Sequence, residues 1–355
     1  MERLHKLRDT IKELNLDAVL ITNPENRHYF SGFTGSAGAL MIGATEAYIM
    51  TDFRYWEQVS QQAPEFILAK QGPEFWQSIA RLTMDAGWNR VGFEAEQLTY
   101  NDFQKLQEVM NDISLTPINE QIKRLRWSKE EREIQIIADA AKITDLAWKK
   151  ALDLLKPGVK ERDLALEFDY QLRLNGAEGS AFTTIVASGF RSALPHGAAS
   201  EKEIQYGELV IVDGGALYQG YHADMTRTVV LGKADEEQRR IYHIVLESQQ
   251  RALDYLHAGL LGKEVDAVAR DYIAQAGFGD KFGHGLGHSV GLEIHESPRL
   301  SISESNHIPV NAVVTVEPGI YLPDWGGVRI EDLVVVEEEG IRNLTGSPKN
   351  ELLVI

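Results

Sequence analysis

Four carboxylates and one imidazole stand out in the C-terminal half of this 355-residue chain: Asp213, Asp224, His288, Glu317 and Glu331, each in a β-rich, glycine-punctuated segment. An oxygen-dominated set with a single imidazole suits two hard or borderline divalent cations, such as Mn²⁺ or Co²⁺, better than a thiolate-built zinc site. The chain has no cysteine, which removes thiolate ligands and disulfides from consideration. The chemistry that a pair of such ions opens is hydrolysis.

Each ligand candidate sits in a segment with its own logic. ELVIVDGGALYQGYHADMTRTVVLG (208–232) reads as a hairpin, with Val/Ile alternation entering Asp213 and Thr/Val alternation leaving Asp224. A turn centred on Tyr218-Gln219 predicts that the two Asp face each other with Cβ atoms ~4.5–5.5 Å apart, a repulsive pair that a cation would reconcile. The alternative is that one Asp caps the Gly214-Gly215 turn and the other faces solvent. GHGLGHSVGLEIHESP (283–298) carries His284, His288 and His295 among glycines, as expected where a loop presents imidazoles into a crowded site. NAVVTVEPGIYL (311–322) and GGVRIEDLVVV (326–336) read as two further strands, each with one glutamate in a β-branched run. Side chains two apart in a strand share a face, so Arg329 can orient the Glu331 carboxylate. Alternatively, Glu331 and Asp332 form a solvated strand edge. His196, in the loop LPHG (194–197), would by itself be an ordinary surface histidine.

The bulk properties limit what these residues can serve. The length suggests two domains at roughly 100 to 200 residues each. A net charge of −17 disfavours nucleic acid, whose phosphates need a basic face, and suits metal cations and amine-bearing substrates. The charged N-terminus MERLHKLRDTIKELNLD lacks the apolar core of a signal peptide, and no run of about 18 apolar residues would span a membrane. The expected location is the cytoplasm, with no membrane partner.

Residues 1 to about 120 alternate helix and strand patterns. Helices are expected at the N-terminus, at 54–62, 74–86 and 100–110, and strands at 17–22, 38–43, 46–52, 90–94 and 113–118. A boundary falls at 119–128. Ser128 and Glu131 form a capping-box pair opening a long helix to about Leu155, ended by Pro157-Gly158, with another helix from Glu161 to about Asn175. KPGVKERDLALEFDYQLRLNGA (156–177) is similar to AGLLGKEVDAVARDYIAQAGF (258–278), which suggests a helix-plus-sheet unit used twice, with one carboxylate pair from each half.

Taken in order, IVDGG, ADMTR, GHGLGHSVGLEIHE, VEPGIY and VRIED resemble the dinuclear metallopeptidases of the pita-bread (peptidase M24) superfamily. Within it the chain looks most like the Xaa-Pro peptidases, aminopeptidase P and prolidase (proline dipeptidase). YFSGFTGSAGAL (29–40) and MTDFRY (50–55) are similar to the N-terminal domain of aminopeptidase P-like members. The resemblance implies an α/β (α+β) protein. A creatinase-like α/β domain would occupy 1–122, a linker 123–128, and a catalytic pita-bread domain 129–355, with a curved mixed or antiparallel sheet flanked by helices. It implies two divalent ions per chain, Mn²⁺ ahead of Co²⁺ or Zn²⁺, held by Asp213, Asp224, His288, Glu317 and Glu331. A hydroxide between the ions would attack the bond before proline. Glu317 would take the water's proton, His295 would hydrogen-bond the tetrahedral intermediate, and His196 and His284 would line the pocket, with Arg329 and Tyr321 beside the ligands.

Proline-containing peptides or dipeptides are the implied substrates and a homodimer the implied assembly. The N-terminal motifs favour aminopeptidase P slightly. Arg299, four residues after His295, favours a dipeptidase because it can bind a free C-terminal carboxylate bidentately, unless it is only a surface arginine. Methionine aminopeptidase shares the ligand set but not the large N-terminal domain. A metal-independent hydrolase of the same fold, or a catalytically silent peptide-binding module, would be expected to have lost ligands.

Overall fold

The computed structural model describes residues 2–355. The chain forms two compact units, one ending at Arg126 and one beginning at Trp127. In the first, the helix Glu2–Glu13 buries Leu4, Leu7 and Ile11, the apolar stripe that its helical spacing predicts. The mixed sheet of this unit runs in the order Ile67–Lys70, Ala47–Thr51, Ala39–Gly43, Ala18–Ile21, Arg90–Phe93, Ser114–Pro117. Three elements escape the periodicity. The helix Pro24–Ser31, at eight residues, is too short to show a clear apolar stripe but has an Asn23 cap on Asn26 N–H and a left-handed Gly32. The edge strand Ile67–Lys70 is only partly buried and therefore barely alternates. The helix Asn119–Leu125 overlaps the stretch expected to be a linker.

The second unit repeats one element order. The helices Glu131–Leu152 and Glu161–Leu174 pack together and precede the strands Ile185–Ser188, Leu209–Gly214 and Met225–Val230. The helices Glu236–Tyr255 and Gly262–Gln275 pack together and precede Gly287–Ser289, Glu296–Leu300, Val313–Val316 and Asp332–Glu337. Glu236–Tyr255 was not expected, although Asp235 and Gln238 form a capping box at its start. The box expected at Ser128 and Glu131 lies two residues later: Glu133 accepts from Glu130 N–H at 2.9 Å, and Ser128 Oγ donates to Val310 O.

Two corrections bear directly on the carboxylates. Tyr218 pairs with Tyr221, so the first hairpin turns at Gln219-Gly220, where φ is 48° and 78°. Both turn positions need positive φ, and this placement gives one of them to glycine. Asp213 therefore lies opposite Thr226 rather than Asp224. The slip is two residues, which preserves the face, because side chains alternate with a period of two. Asp224 itself falls between the short strand Tyr221–His222 and Met225–Val230.

The second correction is that the two glutamate-bearing runs are not continuous strands. Val313–Val316 stops before Glu317 and resumes at Gly319–Leu322, while Gly326–Arg329 stops before Glu331 and resumes at Asp332–Glu337. Val316 pairs with Asp332 and Gly319 with Arg329, a single register carried across the break. That register sets Glu317 against Glu331, and Pro318, which has no N–H, against Ile330. Neither glutamate N–H stays in the hairpin. Glu317 N–H donates to Leu286 O at 2.8 Å and Glu331 N–H to Thr226 O at 3.1 Å.

Close backbone approach is needed beside Asp224: a Cβ on Gly215 would stand 1.7 Å from Ala223 O and 3.1 Å from Asp224 N. Overpacking at such a contact typically costs about 1–3 kcal/mol, so Gly215→Ala should lower stability at the top of that range. Urea unfolding measures it, and an unchanged midpoint would contradict the close approach.

Candidate metal centre

Carboxylate oxygens of Asp213, Asp224 and Glu331 all lie within 4.8 Å of one another, and all three residues are buried. Arg329 is a cation that touches this group. It donates to Asp213 Oδ2 at 2.6 Å through Nη2, to Thr226 Oγ1 at 3.1 Å through Nε, and to Tyr321 Oη at 2.9 Å through Nη1. The Thr226 hydroxyl in turn donates to Glu331 Oε2 at 2.6 Å. Asp224 Oδ1 and Glu331 Oε1 are buried with no hydrogen-bond partner.

Two ligand-type groups close the cluster. His288 Nε2 stands 3.7 Å from Asp224 Oδ2 and 3.5 Å from Glu317 Oε1, too far for hydrogen bonds but aimed into the same gap. The other ring nitrogen, Nδ1, meets Ser289 O at 3.1 Å, which orients the ring and leaves the Nε2 lone pair for the cluster. Thr315 supports both neighbours: its hydroxyl donates to Glu317 Oε1 at 3.0 Å and accepts from His288 N–H at 3.0 Å. Sequence reasoning missed Thr226 and Thr315. Their signal is faint, a polar β-branched residue two positions from Asp224 and from Glu317.

The remaining candidates surround this core. The His295 ring meets that of His288 edge-on, with centroids 4.4 Å apart. His284 Nε2 lies 2.9 Å from Tyr321 Oη and so joins the Arg329 network. His196 is exposed and near enough to bear electrostatically on His284 and His295. Arg299 is exposed and paired across the strands with His288. All the residues singled out in the sequence thus converge on one region.

The electrostatics show what the cluster favours. Burial and then repulsion from Asp213 and Glu317 hold the Asp224 carboxyl well above its ordinary range. Burial and then Asp224 do the same to Glu331. Burial raises Glu317 to about 7, against the pull of Arg329. Burial pushes His288 down to about 3 and His284 to about 4, so both imidazoles are neutral at neutral pH. A neutral imidazole, crowded carboxylates and two orphaned carboxylate oxygens form a donor set that suits divalent cations.

Residues 135–338 match metallopeptidase family M24, and residues 3–127 match the creatinase/prolidase N-terminal domain. The chain belongs to metallopeptidase family M24: it is a metal-dependent peptidase of mixed α/β fold, with a creatinase-like N-terminal domain before the catalytic one. It is 41% identical to a Xaa-Pro dipeptidase of Pyrococcus furiosus, over 99% of either chain. Among solved structures it is similar to a Xaa-Pro dipeptidase from Bacillus anthracis, with TM-score 0.98 and 42% identity over 100% of this chain and 99% of that one. An X-Pro aminopeptidase from Thermotoga maritima follows, with TM-score 0.91 and 39% identity over 98% and 100%. Among the described residues no helix is long and apolar enough to cross a membrane.

Metal uptake should release protons. In the metal-free fold Asp224, Glu331 and Glu317 keep protons above the ordinary carboxyl range, whereas His288 has none to lose near neutrality. Folded carboxyls that bind more protons than unfolded ones withdraw stability as pH rises from about 4.5, and cations reverse this. Titration calorimetry with Mn²⁺ in buffers of different ionisation heat should show proton release, and affinity falling from about pH 8 to about pH 6. A pH-independent affinity without proton release would contradict the shifts.

Proposed function

We propose that this chain is a Xaa-Pro dipeptidase whose two divalent ions, Mn²⁺ in the cell, are held by Asp213, Asp224, His288, Glu317 and Glu331. The observation that carries the reading is the buried triplet of carboxylates with two partnerless oxygens. Bound ions of this kind supply Lewis acidity toward the scissile carbonyl and a water nucleophile at neutral pH.

The chain's own residues divide the remaining tasks. Arg329, bonded to Asp213, holds that carboxylate in place. Glu317 has a partly exposed side chain and a carboxyl raised to about 7, which suits it to take a proton from water and return it later. The nitrogen of proline at P1′, like any peptide leaving nitrogen, must gain a proton as the bond breaks, and this return supplies it. His295, exposed beside the buried His288 and with its pKa lowered by partial desolvation, is suited to donate to the developing oxyanion. His284, tied to Tyr321, and exposed His196 line the approach.

Arg299 tips the substrate length from the slight lean toward aminopeptidase P to the dipeptide. An exposed guanidinium on the strand beside His288 can take a free carboxylate one residue beyond the scissile bond. The names of the P. furiosus and B. anthracis relatives agree with that choice. A cytoplasmic homodimer completes the reading.

Metal-stripped protein reconstituted with Mn²⁺ should cleave Xaa-Pro. Xaa-Pro-Yaa and amidated Xaa-Pro should be cleaved at least ~10-fold less well, the worth of one charge-assisted contact. Arg299→Met should raise KM for the free dipeptide alone, and Asp224→Asn should remove activity. Equal cleavage of the amidated substrate would make the enzyme an aminopeptidase. No Xaa-Pro cleavage with any divalent ion would sink the reading.

A further inference from the structure

The break that frees Glu317 and Glu331 leaves the hairpin short of hydrogen bonds. Across it, Ile330 N–H reaches Pro318 O at 3.4 Å, but Pro318 has no N–H to return, so Ile330 O lacks its ladder donor. A side chain from another element supplies one. Gln249, fully buried on the helix Glu236–Tyr255, donates from Nε2 to Ile330 O at 3.2 Å and to Val316 O at 2.9 Å. These carbonyls belong to the residues immediately before Glu331 and Glu317. The peptide unit entering each glutamate is thereby held on both edges, its C=O by Gln249 and its N–H by Thr226 O or Leu286 O.

Lys349 decides which way the amide faces. Its ammonium donates to Gln249 Oε1 at 2.6 Å and also bonds Asp332. An ammonium only donates and the two carbonyls only accept, so one amide orientation satisfies all three. A flipped amide would set its oxygen against both carbonyls and its NH₂ against a cation.

Building on the metal-site reading above, we propose that Gln249, oriented by Lys349, is a positioning residue for both glutamate ligands. One amide substitutes for the ladder bond that Pro318 cannot make, and so sets the separation of Glu317 from Glu331. Partners that orient ligands in this way typically account for about 10–100-fold in metal affinity.

The test is Mn²⁺ affinity of purified metal-free protein without substrate, beside its unfolding midpoint. Gln249→Met keeps the volume and removes the donors. It should bind Mn²⁺ about 10–100-fold more weakly while folded. A merely structural glutamine would lower the midpoint and leave the affinity of the folded protein intact, and that result overturns the proposal. Should Gln249→Met not fold, Lys349→Met should weaken Mn²⁺ binding and Lys349→Arg restore it; wild-type affinity in Lys349→Met overturns the proposal equally. Because Lys349 also bonds Asp332, the double variant checks its route: it should bind no more weakly than Gln249→Met, and additive losses would remove Lys349 from the account. Wild-type protein that binds Mn²⁺ but leaves Xaa-Pro intact would instead fail the dipeptidase reading alone.

Discussion

Three buried carboxylates that repel one another are the constraint around which the catalytic unit is organised. Around Asp213, Asp224 and Glu331, among the described residues, Arg329 reaches a carboxylate oxygen of Asp213, and Arg227 reaches Glu331 only at its backbone carbonyl. Removing one partner from such a group, or leaving a charge unpaired in a dry interior, costs several kcal/mol, so an arrangement of this kind persists where something compensates it. Divalent cations do so in a metallopeptidase. The surrounding hydroxyls of Thr226 and Thr315, and the turned-away Nδ1 of His288, orient the ligands rather than neutralise them.

Interruption of the strands is how the fold reconciles regular pairing with ligand geometry. Asp224, Glu317 and Glu331 all sit where strands lapse, and the two glutamates turn their N–H groups out of their own hairpin. A strand residue in full register has its direction fixed by the pleat. A residue at a break can be aimed, provided that the backbone groups it frees find other partners. Leu286 O, Thr226 O and the Gln249 amide are those partners.

Much of the candidate site was legible in the sequence because its residue types oppose their settings. Asp and Glu in Val/Ile/Thr runs, and histidines spaced among glycines, stand out without any alignment. The elements with clear periodicity or caps, such as Glu2–Glu13 and Glu161–Leu174, were legible for the same kind of reason. Register was not. The turn at Gln219-Gly220 depends on which residues take positive φ, and a hairpin with several candidate turn positions does not display that in its alternation. The breaks at Glu317 and Glu331 were hidden because β-branched residues lead into each glutamate and return three positions after it; Pro318-Gly319 was the visible sign. Gln249 gave no signal at all, since its role depends on a helix meeting a gap that only the assembled unit contains.

The most direct test of the central claim is anomalous diffraction from crystals grown with Mn²⁺. The account predicts two anomalous peaks, bounded by Asp213, Asp224, His288, Glu317 and Glu331, with the freed oxygens of Asp224 and Glu331 among the ligands. Peaks elsewhere, or an empty cluster at saturating Mn²⁺ with the carboxyls hydrogen-bonded to one another through retained protons, would contradict it.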